Sequence, residues 1–121
     1  MKAILTTLLL FIGLNLSFAQ QTAIVKQTSD ITSIKNTGKG MITLPSGLSV
    51  DDVASKAKYY THYFTVQFDE KTNVASITMV DNDERNRSII VRFLAACDVS
   101  EVKIDGKTIS RDDLFQMYLK D

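Results

Sequence analysis

This sequence of 121 residues is short of the residues that most often carry chemistry: it has one cysteine, one histidine and no excess of either charge. Cys97 has no second cysteine to pair with, so no disulfide closes within the chain, and an exported domain of this kind must be held by packing alone. His62 by itself cannot assemble a structural zinc site, which takes four ligands, and no cysteine or carboxylate partner stands at motif spacing from it. A Ser-His-Asp constellation would have to recruit that same histidine, and no GxSxG elbow is present. The 14 basic and 14 acidic residues balance, whereas binders of nucleic acid or anionic membranes carry a basic excess or stripe. Nor does any apolar run reach the roughly 20 residues of a membrane-spanning helix, since Thr6, Thr7, Asn15, Ser17 and Gln20 interrupt or end the one at the N-terminus.

That N-terminal run has a different meaning. Lys2 supplies a positive start, Ala3 to Leu16 an apolar stretch, and Ser17-Phe18-Ala19 a small-residue cleavage site. Residues 1–19 therefore read as a secretory signal peptide, and the mature chain begins at Gln20. No cysteine follows the run to take a lipid anchor, so the expected product is free in the periplasm or secreted, with no stable membrane attachment. What remains has the length of one ordinary domain.

Along the mature chain, residues 20–40 are rich in Thr, Ser, Gln, Lys and Asn, with Ile24, Val25, Ile31 and Ile34 the sizeable apolar residues. This composition predicts a flexible N-terminal segment, at most with an edge strand at Ala23 to Lys26. Clearer signals begin at Gly40. Met41 to Leu44 predicts a short strand before the Pro45-Ser46-Gly47 turn. Ser49 with Asp52 is a helix-start pair, and Leu48 with Val53 can staple across it. Val50, Val53, Ala54 and Ala57 then share one helix face. Phe64, Val66 and Phe68, and after a polar turn Ala75, Ile77 and Met79, alternate as the two strands of a hairpin. A second helix is predicted from near Asp81, with Ile89, Ile90, Phe93, Leu94 and Cys97 as its buried stripe. Val102 and Ile104 predict a strand ending at the Asp105-Gly106 turn, with Lys107 to Ile109 returning along it. Ser110 with Asp113 starts a last helix whose apolar side is Leu114, Phe115 and Tyr118.

Strand, helix, strand, strand, helix, strand is the order of a ferredoxin-like βαββαβ sandwich. The expected fold class is accordingly α+β, with residues 41–121 forming a single ferredoxin-like domain: a four-stranded antiparallel sheet, two helices on one face and an extra C-terminal helix. A β-grasp or other α+β arrangement uses much the same elements.

In element order and exported setting the chain resembles small heavy-metal-associated domains, which hold a soft metal with two cysteines of a CxxC loop between first strand and first helix. The corresponding loop here is Leu44-Pro45-Ser46-Gly47-Leu48-Ser49, without either cysteine. The resemblance implies a fold and carries over no ligand.

Other candidate sites have plain structural readings. Cys97 falls on the buried stripe, where a free cysteine behaves as a small hydrophobe. Asp81-Asn82-Asp83-Glu84 suggests a calcium loop, but Asn86 and Arg92 stand where an EF-hand needs Gly and Glu, and helix capping accounts for the acids. The richest feature is the aromatic run Tyr59, Tyr60 and Tyr63 around His62. With Thr65, Gln67, Ser76 and Thr78 on the solvent side of the hairpin, these residues form a possible interaction surface. No catalytic, cofactor-binding or metal-binding residues are identified. The expected function is a non-catalytic periplasmic or secreted binding module whose partner is another envelope protein or a second copy of itself. The alternatives are a degenerate heavy-metal-associated-like domain binding a cation through His62 or the acidic cluster, and an enzyme with a pocket the sequence does not reveal.

Overall fold

The computed structural model describes residues 22–121; the signal-peptide reading of residues 1–19 lies outside them. The described chain is a mixed α+β fold. In chain order its elements are β1 (Thr22–Val25), α1 (Thr28–Thr37), β2 (Lys39–Thr43), α2 (Val50–Ala57), β3 (Phe64–Asp69), β4 (Val74–Met79), α3 (Glu84–Ala96), β5 (Glu101–Ile104), β6 (Lys107–Ser110) and α4 (Arg111–Leu114), the last continuing as a wider π-type turn at Phe115–Leu119.

All six strands join one sheet in the order β3-β4-β2-β1-β5-β6. The four strands expected from residues 41–109 lie within it as β5, β2, β4, β3. Between β5 and β2, however, sits β1, antiparallel to β2 and parallel to β5, and β6 is added outside β5. The expected four-stranded antiparallel ferredoxin-like sheet is therefore replaced by a six-stranded mixed one.

Residues 22–40, within the segment 20–40 expected to be flexible, depart most from expectation. Instead of a loose tail they supply the strand β1, well inside the sheet, and the helix α1. Their few apolar residues are all well aimed: Ala23 and Val25 alternate onto the inner face, and Ile31 and Ile34, three apart, point from α1 into the core, all four buried. The polar residues that dominate the composition satisfy backbone groups. Ser33 Oγ donates to the Lys39 carbonyl at 2.6 Å and Thr37 Oγ1 to the Ser33 carbonyl at 2.8 Å. Gly38 ends α1 in the left-handed region at φ 77°, its N–H donating to the Ile34 carbonyl.

The hairpin, the Asp105-Gly106 turn and two of the caps follow the sequence closely. Phe64↔Met79 through Asp69↔Val74 pair in register, and Asp105 and Gly106 both have positive φ, as a two-residue hairpin turn requires. At α2 the Ser49 hydroxyl accepts from the Asp52 N–H at 3.0 Å while the Asp52 carboxylate accepts from the Ser49 N–H at 3.0 Å. That backbone bond, with the Ser49 hydroxyl, holds the Asp52 carboxyl below its ordinary pKa. Ser110 caps α4 through the Asp113 N–H. The second predicted helix starts later than expected: Asp83 is its cap, accepting from the Asn86 N–H at 2.8 Å. The α2 stripe is also narrower, because Val53 is buried whereas Val50 and Ala54 are exposed.

One core results. Ala23, Val25, Ile42, Phe64, Ala75, Ile77, Val102 and Ile104 on the inner sheet face pack with Ile31, Ile34, Val53, Ile90, Phe93, Leu94, Leu114 and Leu119 from the helical side. The helices thus cover one face of the sheet and leave the other open, an arrangement that sheets with antiparallel pairs permit.

Candidate functional site

The expected interaction surface divides into two environments. Tyr60 is half-buried at the α2–β3 junction, its ring stacked on Phe64 (centroids 6.0 Å, planes 8° apart) and meeting Phe93 edge-on at 6.2 Å. Tyr63, expected as part of the interaction surface, is likewise half-buried against the core, and its carbonyl accepts from the Val80 N–H at 3.0 Å. These two tyrosines close the end of the core. Tyr59 remains 71% exposed with the Lys58 ammonium 5.2 Å from its ring centre, and His62 is exposed.

Thr65, Gln67, Ser76 and Thr78 lie on the open sheet face as two cross-strand pairs, Thr65↔Thr78 and Gln67↔Ser76. The register extends this face across the sheet to residues the sequence did not single out. Reading one row from β3 to β5, Asp69 pairs with Val74, Val74 with Thr43, Thr43 with Ile24, and Ile24 with Lys103. One step along β2, Met41 pairs with Ser76. Ile24 and Met41 are 42% and 43% exposed, so an apolar centre sits in a surround of threonine, serine and single charges.

That centre is recessed. β1 and β2 share the paired position Ile24↔Thr43, after which β1 turns away through Lys26 into α1. Beside this divergence lies a hollow of about 210 Å³ lined by Ile24, Met41, Ile42 and Val74, with Lys26 and Asp30 also on its wall. Four-residue β1, in a polar stretch, was too short for its alternation to show that Ile24 faces outward beside Met41.

Compared with models of protein families, with curated proteins and with solved structures, the chain matches none.

The chemical candidates take the following positions. Among the described residues, no group of three or more His, Cys, Asp or Glu side chains is placed to hold a metal ion. Asp83 serves as a helix cap, and the Asp81 carbonyl accepts from the Asn86 side chain at 3.1 Å. Cys97 is 2% exposed, and burial pushes its thiol up to about 11 from an ordinary 9.0, with Lys56 opposing. Native protein at pH 8 is therefore expected to resist maleimide labelling, whereas urea-unfolded protein labels at once. The sign for stability follows. Above pH 9 the unfolded chain releases a proton that the folded chain keeps, so this group's contribution is intact below pH 9 and declines as pH rises toward 11. Equal labelling of native and unfolded protein would contradict the burial.

Proposed function

We propose that this chain is an exported, non-catalytic binding module that holds a partner against the open face of its sheet. The observation that carries this reading is the recessed apolar centre of that face: Ile24, Met41 and Val74, which alternate onto the sheet face away from the helices, are partly or substantially solvent-exposed around one hollow at the β1–β2 divergence, where Asp30 of α1 also reaches its wall. An apolar centre within a polar surround is the anatomy of a protein interface, and Met suits a surface that must adapt to its partner. The split order β2-α2-β3-β4-α3-β5 is read as a ferredoxin-like unit with β1 inserted, a scaffold that leaves one sheet face free. The aromatic run, by contrast, is read mainly as the closure of the core, with Tyr59 and His62 left at the margin of the module.

Two measurements test this proposal. A photo-crosslinking residue at Met41 should give a discrete adduct in cells or envelope fractions, whereas the same residue at Asp112, on the helical side, should not. Identical adducts from both positions, or none from Met41, would reject the open face as the binding surface. Intact mass of the exported product should correspond to a chain beginning at Gln20; a product retaining residues 1–19 would reject the leader.

A further inference from the structure

The geometry points to a second copy of this chain as the occupant of the open face, bound about a two-fold axis that runs along β2. This rests on the binding role proposed above and names its partner. The five-strand stretch Asp69, Val74, Thr43, Ile24, Lys103, which continues to Thr108 on the edge strand β6, is self-complementary about Thr43 and leaves β6 outside the pairing. Turning a second sheet over β2 sets Asp69 of each copy against Lys103 of the other, Val74 against Ile24, and Thr43 against Thr43. Met41 and the exposed Lys39, both on the outer face of β2, also meet their own counterparts near the axis, so the two lysines must splay apart at that end of the interface. An isologous interface requires this kind of self-match, in which residue i meets j and j meets i. Asp69 and Lys103 are both exposed, and the side-chain bond that Asp69 makes, from the Lys71 N–H at 3.0 Å, engages one carboxylate oxygen and leaves the other available.

The area determines the strength of the pair. Five facing strands spaced ~4.8 Å apart, each four to six residues long, cover on the order of 400 Å² per copy. A standard interface takes about 800 Å² per partner, so the dimer is weak and concentration-dependent. Two sheets meeting in this way stand about 10 Å apart with their strands roughly 30° from parallel.

Sedimentation velocity over a concentration series on the mature chain tests the pairing. Wild type is expected to dimerise, and Ile24→Asp, at an exposed position that leaves the core intact, to abolish the association. Lys103→Glu alone and Asp69→Lys alone should each raise the dissociation constant roughly tenfold, because two symmetry-related pairs become repulsive. The double variant carrying both changes should recover to within about threefold of wild type. Within one chain the two residues lie on strands separated by three others, roughly 19 Å apart, so recovery reports contact between copies. A dimer indifferent to Ile24→Asp, or charge reversals without recovery in the double variant, would overturn the proposed pairing. A chain that stays monomeric at roughly millimolar concentration but still gives Met41-specific adducts with another protein would overturn the second-copy occupant alone. A monomer without such adducts would remove the binding role with it.

Discussion

Arg87→Ala should lower stability by about 3 kcal/mol, because this side chain is a buried charged group that supplies the donor to the buried Leu119 carbonyl. Arg87 lies on the first turns of α3 and is 2% exposed, the one buried charged residue among those described. Its Nε donates to the Leu119 carbonyl at 2.7 Å and its Nη1 to Asn82 Oδ1 at 2.8 Å, while Nη2 pairs with the Asp121 carboxylate. Asn82 in turn donates to the Lys35 carbonyl at the end of α1 at 2.9 Å, and the Asp121 N–H donates to Glu84 at 3.0 Å. One guanidinium therefore ties the turn after α4, the loop before α3 and, through Asn82, the last turn of α1. The alanine variant leaves the Leu119 carbonyl without its donor and leaves a void where the buried Arg87 side chain stood. The Asp121 carboxylate behaves differently. At 70% exposure it is solvated whether paired or not, so Asp121→Asn should cost under about 1 kcal/mol. Urea unfolding of the two variants makes the comparison. Similar losses in both would mean that the ion pair, and not the buried carbonyl and amide bonds, carries the contribution.

This hub also shows why some features could be read from the sequence and others could not. Local patterns survived folding: the Ser49 and Ser110 caps, the Phe64–Met79 hairpin, the Asp105-Gly106 turn and the Ile89, Ile90, Phe93, Leu94, Cys97 stripe each depend on residues a few positions apart. Arg87 lies within that last helix and points to partners 32 and 34 residues away in sequence. No spacing rule anticipates a buried arginine whose acceptors come from the end of the chain. β1, expected at most as an edge strand at Ala23 to Lys26, lies inside the sheet for a related reason. Four residues with Ala23 and Val25 inward carry a weak alternation, and what makes the strand is pairing with β5, nearly eighty residues away. The candidate face was half legible. Thr65, Gln67, Ser76 and Thr78 came from hairpin alternation, but its apolar centre depends on the register of β1 against β2 and β5, which is set by tertiary contacts. The tyrosines were the most conspicuous feature of the sequence, yet Tyr60 and Tyr63 are drawn onto the core by their apolar rings.

Gly40→Ala, a change of one methyl group, should cost about 3 kcal/mol, comparable to loss of the buried arginine. The chain leaves α1 at Gly38 and enters β2 at Lys39, so the helix folds straight back along the strand with no linker to adjust its distance. Ser33 and Thr37 on α1 hold that approach through the Lys39 backbone. Gly40, paired with Ile77, faces α1 on the inner side of the sheet. A Cβ there would press on the Asp30 carbonyl and on the Ile34 side chain at separations that real Cβ atoms do not show. The carbonyl belongs to a helix backbone and cannot swing aside. Relief requires α1 to move outward as a unit, withdrawing Ile31 and Ile34, both fully buried, from the core. Gly47→Ala provides the control. Its φ of 98° disfavours a side chain, but nothing lies within 4 Å of the added methyl, so the cost should stay near 1 kcal/mol. Denaturation midpoints with hydrogen exchange across α1 distinguish the two. The Gly40 variant should lose protection selectively in α1 and β2, whereas a loss below about 0.5 kcal/mol would show that helix and strand are not held in contact.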